Sequence, residues 1–254
     1  MLKIENIIAG YNSKPIIRDI SFSTKPRELT GLLGLNGAGK TTLLKVISGL
    51  LKPMEGNCYI KDIDIYKLKE KKRARYISYL PQRSSIIYNT KVIDVVLMGI
   101  TPYLGAFDSP TSHHREMAYE TLKNVSMEDY AEENFLHLSE GQKQLIIIAR
   151  NLIQNSKIML FDEPDSTLDY PNKHMVLGVI KNIVGLDNKS GIITLHDPNL
   201  ALSYCDNIII LNNGKKFNQL KVREINKDII LKNFGHIYGN INVVQYDGKY
   251  FIVR

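Results

Sequence analysis

The stretch Gly34-Leu35-Asn36-Gly37-Ala38-Gly39-Lys40-Thr41 satisfies the pattern G-x-x-x-x-G-K-[ST], and it constrains the chain more than any other feature. A triphosphate needs several backbone N–H groups converging on it, and glycines at 34, 37 and 39 permit that close approach. A helix opening near Lys40 adds the positive end of its dipole. Lys40 is long enough to reach the β- and γ-phosphates, and the Thr41 hydroxyl suits Mg²⁺. Asn36, Ala38 and Thr42 complete the residues expected around the nucleotide. Context supports the pattern. An apolar strand at 28–33 precedes it, and Leu43, Leu44, Ile47 and Leu50 then repeat at helical spacing over 41–50.

Such a loop needs a metal-side carboxylate on a neighbouring strand. Residues 158–161, Ile-Met-Leu-Phe, read as a buried strand, with Asp162 and Glu163 at its C-terminal end. Ligands of parallel sheets collect at that end. Asp162 is expected to bind Mg²⁺ directly or through water, and Glu163 to polarise the attacking water as general base. Taken alone, an acidic turn before Pro164 reads equally well as a solvated loop. The glycine loop gives the pair its chemistry.

Short apolar segments at 77–80, 158–161, 192–195 and 208–211 alternate with helical ones. The fold class expected is therefore α/β, with a largely parallel sheet covered on both faces. An antiparallel β portion opens the chain at 2–11 and 16–23, separated by the turn Asn12-Ser13-Lys14-Pro15. Helices are expected at 92–98, 115–125 and 142–154, and a closing hairpin over 241–254 turns at Asp247-Gly248. Ile146-Ile147-Ile148 alone favours strand, yet Leu145, Ile148, Ala149, Leu152 and Ile153 recur at three- and four-residue intervals, which favours helix. One domain over 1–254 is expected, with a core at 1–81 and 156–240, a helical insertion at 82–155 and the hairpin at 241–254.

With 254 residues, 44% of them hydrophobic, a substantial core is available. The apolar runs fall far short of the ~20 residues that span a bilayer, and the first residues lack a signal-peptide pattern. Cys58 and Cys205 are expected to be reduced. The net charge of +7 suits phosphate-bearing ligands, nucleic acid or an anionic surface; the one dense basic run, 67–75, reads as a solvated helix face.

Between the glycine loop and the Asp162-Glu163 strand lies Leu138-Ser139-Glu140-Gly141-Gln142, which resembles the signature of ABC-type ATPases. Further motifs occur in the order of that family over nearly the whole chain. Tyr11 resembles its adenine-stacking aromatic and Gln82 the glutamine of its Q-loop, a ligand to Mg²⁺ or water. Ser166-Thr167-Leu168-Asp169 resembles its D-loop and His196 its switch histidine, which contacts the γ-phosphate. The resemblance implies a P-loop NTPase core with an inserted α-helical subdomain. It also implies a Mg-dependent ATPase in which Lys40, Gln82, Glu163 and His196 act in catalysis. Ser139, Gly141 and Gln142 would contact the ATP of a second copy, with two ATPs between two head-to-tail subunits. Two positions depart from the family: Glu140 stands for the second signature glycine, and Thr167 for a small D-loop residue.

Met98-Gly99 before Pro102-Tyr103-Leu104, His196-Asp197 before Asn199-Leu200-Ala201, and Tyr238-Gly239 resemble the importer branch for iron chelates, haem or cobalamin. The expected partners are a second ATPase subunit, membrane permeases docked on 84–104 and, indirectly, a substrate-binding protein, with no nucleic acid. The expected place is the cytoplasmic face of the membrane. A soluble ABC ATPase of iron–sulfur cluster assembly and a nucleic-acid-linked one share the same motifs. Neighbouring genes and salt-sensitive nucleic-acid binding separate them.

Overall fold

The computed structural model describes residues 2–82, 86, 88–105, 107–186 and 188–253. The chain begins with β1 (Leu2–Tyr11) and β2 (Lys14–Ser23). Their turn is Asn12-Ser13, both left-handed, as a tight hairpin requires. The longer turn expected through Pro15 is corrected: Pro15 lies within β2, opposite Gly10. It is tolerated because β2 is an edge strand, with one side free of any ladder.

β3 (Leu29–Leu33) runs through the glycine loop into α1 (Lys40–Ser48). Gly49, at φ 76°, stops this helix two residues short of the expected end. β4 (Glu55–Ile60) and β5 (Ile63–Asp64) extend the antiparallel sheet to the order β2-β1-β4-β5. There follow α2 (Glu70–Ala74), β6 (Ile77–Leu80), α3 (Val92–Leu97) and a 3₁₀ segment, Met98–Tyr103.

The basic run around α2 is a solvated helix face, as expected, and makes further contacts. Its side chains are largely exposed, but Lys71 donates to the Leu104 carbonyl at 2.9 Å and Arg75 to that of Pro102 at 3.1 Å. The Arg75 guanidinium also lies 5.0 Å from the Tyr103 ring centroid. The run therefore clasps the 3₁₀ segment as well as facing solvent.

α4 (Ser112–Lys123) starts three residues early because Thr111 and His114 close a capping box before it. α5 (Glu140–Ile153) starts early for the same reason, Ser139 being its cap. Its isoleucine run is helical and buried, as the three- and four-residue spacing predicts. The remaining order is β7 (Ile158–Asp162), α6 (Tyr170–Gly185), β8 (Ser190–Thr194), α7 (Pro198–Tyr204), β9 (Asn207–Asn212), β10 (Lys215–Lys221), α8 (Lys227–Tyr238), β11 (Asn242–Tyr246) and β12 (Lys249–Val253). β11 and β12 form the expected hairpin through left-handed Asp247 and Gly248; Arg254 lies outside the described residues.

The six-stranded sheet has the order β10-β9-β3-β8-β7-β6, parallel from β9 to β6, with β10 antiparallel at one edge. β3, β7 and β8 are buried at every residue because both sheet faces are covered. On one face, α1 and the antiparallel sheet pack through Leu43, Leu44, Ile47, Ile4 and Ile20. On the other, α3, α5, α6 and α7 form a second core around Phe161, Ile148 and Ile180. Parallel direction brings the strand C-termini to one edge, and with them Gly34, Gln82, Asp162-Glu163 and His196.

Candidate functional site

The loop leaving β3 is shaped by two glycines. A Cβ on Gly34 (φ 155°) would lie 2.5 Å from the Leu211 carbonyl oxygen, and one on Gly39 (φ 96°) 2.4 Å from a methyl of Ile17. Only glycine fits either place. Gly39 precedes α1 with no side-chain cap, so the first-turn N–H groups of the helix are left for an anion. The loop, the start of α1, Ile16 and Glu163 enclose a pocket of about 210 Å³. Asn36, Gly37, Ala38, Gly39, Lys40, Thr41 and Thr42 all line it, as expected of the nucleotide residues. Lys40 is 94% buried as a residue, and its ammonium donates to the carbonyl of Gly34 at 2.9 Å and of Leu35 at 3.4 Å. Burial lowers its pKa, against the upward pull of Glu163 and Asp162.

Asp162 ends β7 buried, with both carboxylate oxygens hydrogen-bonded. Its Oδ1 accepts from Thr41 Oγ1 at 3.2 Å and from Thr194 Oγ1 at 2.8 Å, and its Oδ2 accepts from the Tyr79 hydroxyl at 3.1 Å. Burial, and then the Asp162 charge, push the Tyr79 hydroxyl pKa up, keeping it a donor. Thr194 and Tyr79 carry no motif in the sequence. Their place follows from register: Thr194, on β8, stands opposite Asp162 of β7 and Leu32 of β3, hence between the two halves of the site.

Glu163 has a left-handed backbone (φ 49°), a costly state for a non-glycine residue. Its N–H donates to Thr194 Oγ1 at 2.7 Å, which holds the turn. Its carboxylate accepts from Gln82 Nε2 at 2.5 Å and lies 2.6 Å from His196 Nε2. The structure thus brings Lys40, Thr41, Gln82, Asp162, Glu163 and His196 together. Gln82, expected beside the metal, is placed on Glu163 rather than on Asp162.

The remaining expected residues stand apart. Tyr11 is 43% exposed at the end of β1, outside the pocket lining. Ser139 and Gln142 form a reciprocal capping box, Gln142 N–H to Ser139 Oγ at 3.3 Å and Ser139 N–H to Gln142 Oε1 at 2.9 Å. Glu140, the departure beside them, is turned to Lys143 at 2.9 Å. Gly141 faces Asn172 of α6, whose N–H is capped by Asp169 at 3.1 Å. Of the stretch 84–104, Ser84, Ser85 and Ile87 lie outside the described residues, while Met98 and Tyr103 are exposed.

Among the described residues no group of three His, Cys, Asp or Glu side chains could hold a metal by itself. Thr41 and Asp162 supply one hydroxyl and one carboxylate, hard oxygen donors in mutual contact. That pair fits Mg²⁺, an ion that fills its octahedron with phosphate oxygens and water. No helix of the described residues is long and apolar enough to cross a membrane.

A family model described as ABC transporter matches residues 17–166. A Helicobacter pylori protein named "probable iron chelatin transport ATP-binding protein" is 36% identical over 221 residues, 86% of either chain. A solved metal-chelate type ABC transporter in an inward-facing conformation superposes with TM-score 0.82 at 28% identity, over 99% of this chain and 94% of that one. A dimeric ATP-binding cassette in a post-hydrolysis state with ADP and Pi superposes with TM-score 0.75 at 29% identity, over 89% of this chain and all of the other.

Proposed function

The chain belongs to the ABC transporter family, and from that premise we propose that it is the Mg-dependent ATPase subunit driving import of an iron chelate, or of haem or cobalamin, through separate permeases. The observation that carries the reading is the Glu163 carboxylate, fixed between Gln82 and His196 beside the pocket of Lys40. Asp162 and Thr41 would hold the Mg²⁺, which supplies charge neutralisation to the phosphates when bound. Lys40 and the α1 N-terminus bind the β- and γ-phosphates, and the Tyr11 ring stacks on adenine. Glu163 accepts the proton of the attacking water as its oxygen joins the γ-phosphorus and the bond to the β-phosphate oxygen breaks. His196 holds Glu163 in place and meets the γ-phosphate, and Gln82 orients the water.

In this reading two copies close head to tail, and Ser139, Gly141 and Gln142 of each meet the nucleotide of the other, with Asp169 at the seam. The dimeric, nucleotide-bound relative supports it, as does the exposure of the α5 start. Residues 82–155 act as the arm that presents this face and docks 84–104 on a permease, on the cytoplasmic side of the membrane. A substrate-binding protein delivers the cargo, and its naming as an iron chelate rests on the metal-chelate relatives.

The test is Glu163→Gln. It is expected to bind Mg-ATP by calorimetry within about threefold of the parent, to lose turnover by about a thousandfold, and to sediment as a dimer with ATP. Turnover near that of the parent would remove Glu163 from its role.

A further inference from the structure

The two motifs His196-Asp197-x-Asn199 and Tyr238-Gly239 are some forty residues apart in the chain yet meet in the fold. Asp197 caps α7 by accepting the Asn199 N–H at 2.7 Å. The Asn199 side chain then turns outward to β12. Its Nδ2 donates to the Ile252 carbonyl at 3.0 Å, and its Oδ1 accepts the Ile252 N–H at 2.8 Å. One amide thus pairs with both backbone groups of one strand residue, as a neighbouring strand would. Beside it the Tyr238 hydroxyl, at the end of α8, has its pKa pushed up to about 12 by burial and by the Asp197 carboxylate.

A two-stranded hairpin is marginal in water by itself. This one is anchored by Val243 and Ile252 in the main core and by the Asn199 clamp on its outer edge. Seen from the other end, the same clamp fixes the first turn of α7. His196 immediately precedes the cap of that turn, and its Nε2 is 2.6 Å from Glu163. The clamp thus ties the turn that follows His196 to the hairpin.

We propose that Asn199 is a positioning residue, and that the C-terminal hairpin acts through it to hold His196 against Glu163 for hydrolysis. This rests on the reading of His196 and Glu163 given above. The hairpin is then part of the hydrolytic machinery, although none of its residues lines the nucleotide pocket.

ATP turnover and ATP affinity of Asn199→Ala and Asn199→Asp, each alone and combined with His196→Ala, decide the matter. Aspartate keeps the size and suits the first turn of a helix, but it puts an acceptor where the Ile252 carbonyl needs a donor. Its thermal midpoint is expected to stay within a few degrees of the parent, so it decides if the alanine variant folds poorly. Either single variant is expected to lower kcat about tenfold to a hundredfold while KM for ATP moves less than about twofold. On the His196→Ala background the further loss is expected to be under about twofold. An equal loss on both backgrounds, or an unchanged kcat in the single variants, overturns the proposal. Full turnover by His196→Ala alone sinks the assignment of His196 itself, and is read separately from the Asn199 effect.

Discussion

Asp165 lies two residues past Glu163, 94% buried, and its Oδ1 has no hydrogen-bond partner among the described residues. Burial raises its pKa above its ordinary value, with Glu163 adding to the rise; a backbone N–H, Lys173 and His196 pull the other way. The native state therefore binds this proton more tightly than the unfolded chain does. Its contribution favours folding below the unfolded carboxylate pKa and is lost as pH rises through the higher folded value. Its contribution to stability is therefore smaller at neutral than at low pH. Asp165→Asn is expected to gain about 1–3 kcal/mol at pH 7 and almost nothing near pH 3.5, measured by denaturant unfolding at both. The same gain at both values would show that ionisation is not the cause. At this scale the sequence reveals the side chains that belong to a motif: Lys40, Asp162 and Glu163 stand out by pattern, and all three converge. Thr194, Tyr79 and Asp165 do not stand out, because what makes them matter is a strand register and a depth of burial that one-dimensional spacing does not encode.

Elements tell a similar story with a different cause. Continuous apolar runs mark β3, β7, β8 and β9 because both their faces are covered, and α5 shows its period despite three adjacent isoleucines. The edge strand β10 is hidden, since its apolar residues are only Phe217 and Leu220, three apart, which gives neither a continuous apolar run nor a strict alternation. Helix ends shift wherever a side chain caps earlier than the apolar period begins, as Ser139 and Thr111 do. The Met98-Gly99 step has a packing reason that is likewise invisible in one dimension. A Cβ at Gly99 would lie 2.0 Å from the Arg150 carbonyl oxygen and 2.6 Å from a methyl of Ile153, so the 3₁₀ segment lies directly on α5. Helix propensity alone would make Gly99→Ala stabilising. The contact predicts the opposite, a loss of about 1–3 kcal/mol from forced separation of the two elements, seen as a lower denaturant midpoint at unchanged slope. A raised midpoint would mean that the segment yields without cost.

At the scale of the whole molecule, the site in one copy and the α5 start are separate surfaces: the pocket is lined by the glycine loop, α1, Ile16 and Glu163, while Ser139 and Gln142 cap the exposed start of a different helix. If two copies close as proposed, each nucleotide is served by Lys40 of one copy and Ser139 of the other. Lesions at those positions then complement, because a mixed dimer gathers both into one site and leaves the second intact. Lys40→Ala removes the phosphate cation. Ser139→Asp keeps a good helix cap, so α5 still starts where it does, but sets a carboxylate against the partner's phosphates. Each variant alone is expected to lose nearly all turnover. Mixed in equal amounts, half of the dimers are hybrids with one sound site in two, so recovery should approach about a quarter of the parent rate and rise with protein concentration. Sites that act only in pairs would hold the mixture near zero while hybrids still form on a gel filtration column. Substantial turnover by Ser139→Asp alone would be the decisive failure, since it would mean that α5 never meets a nucleotide.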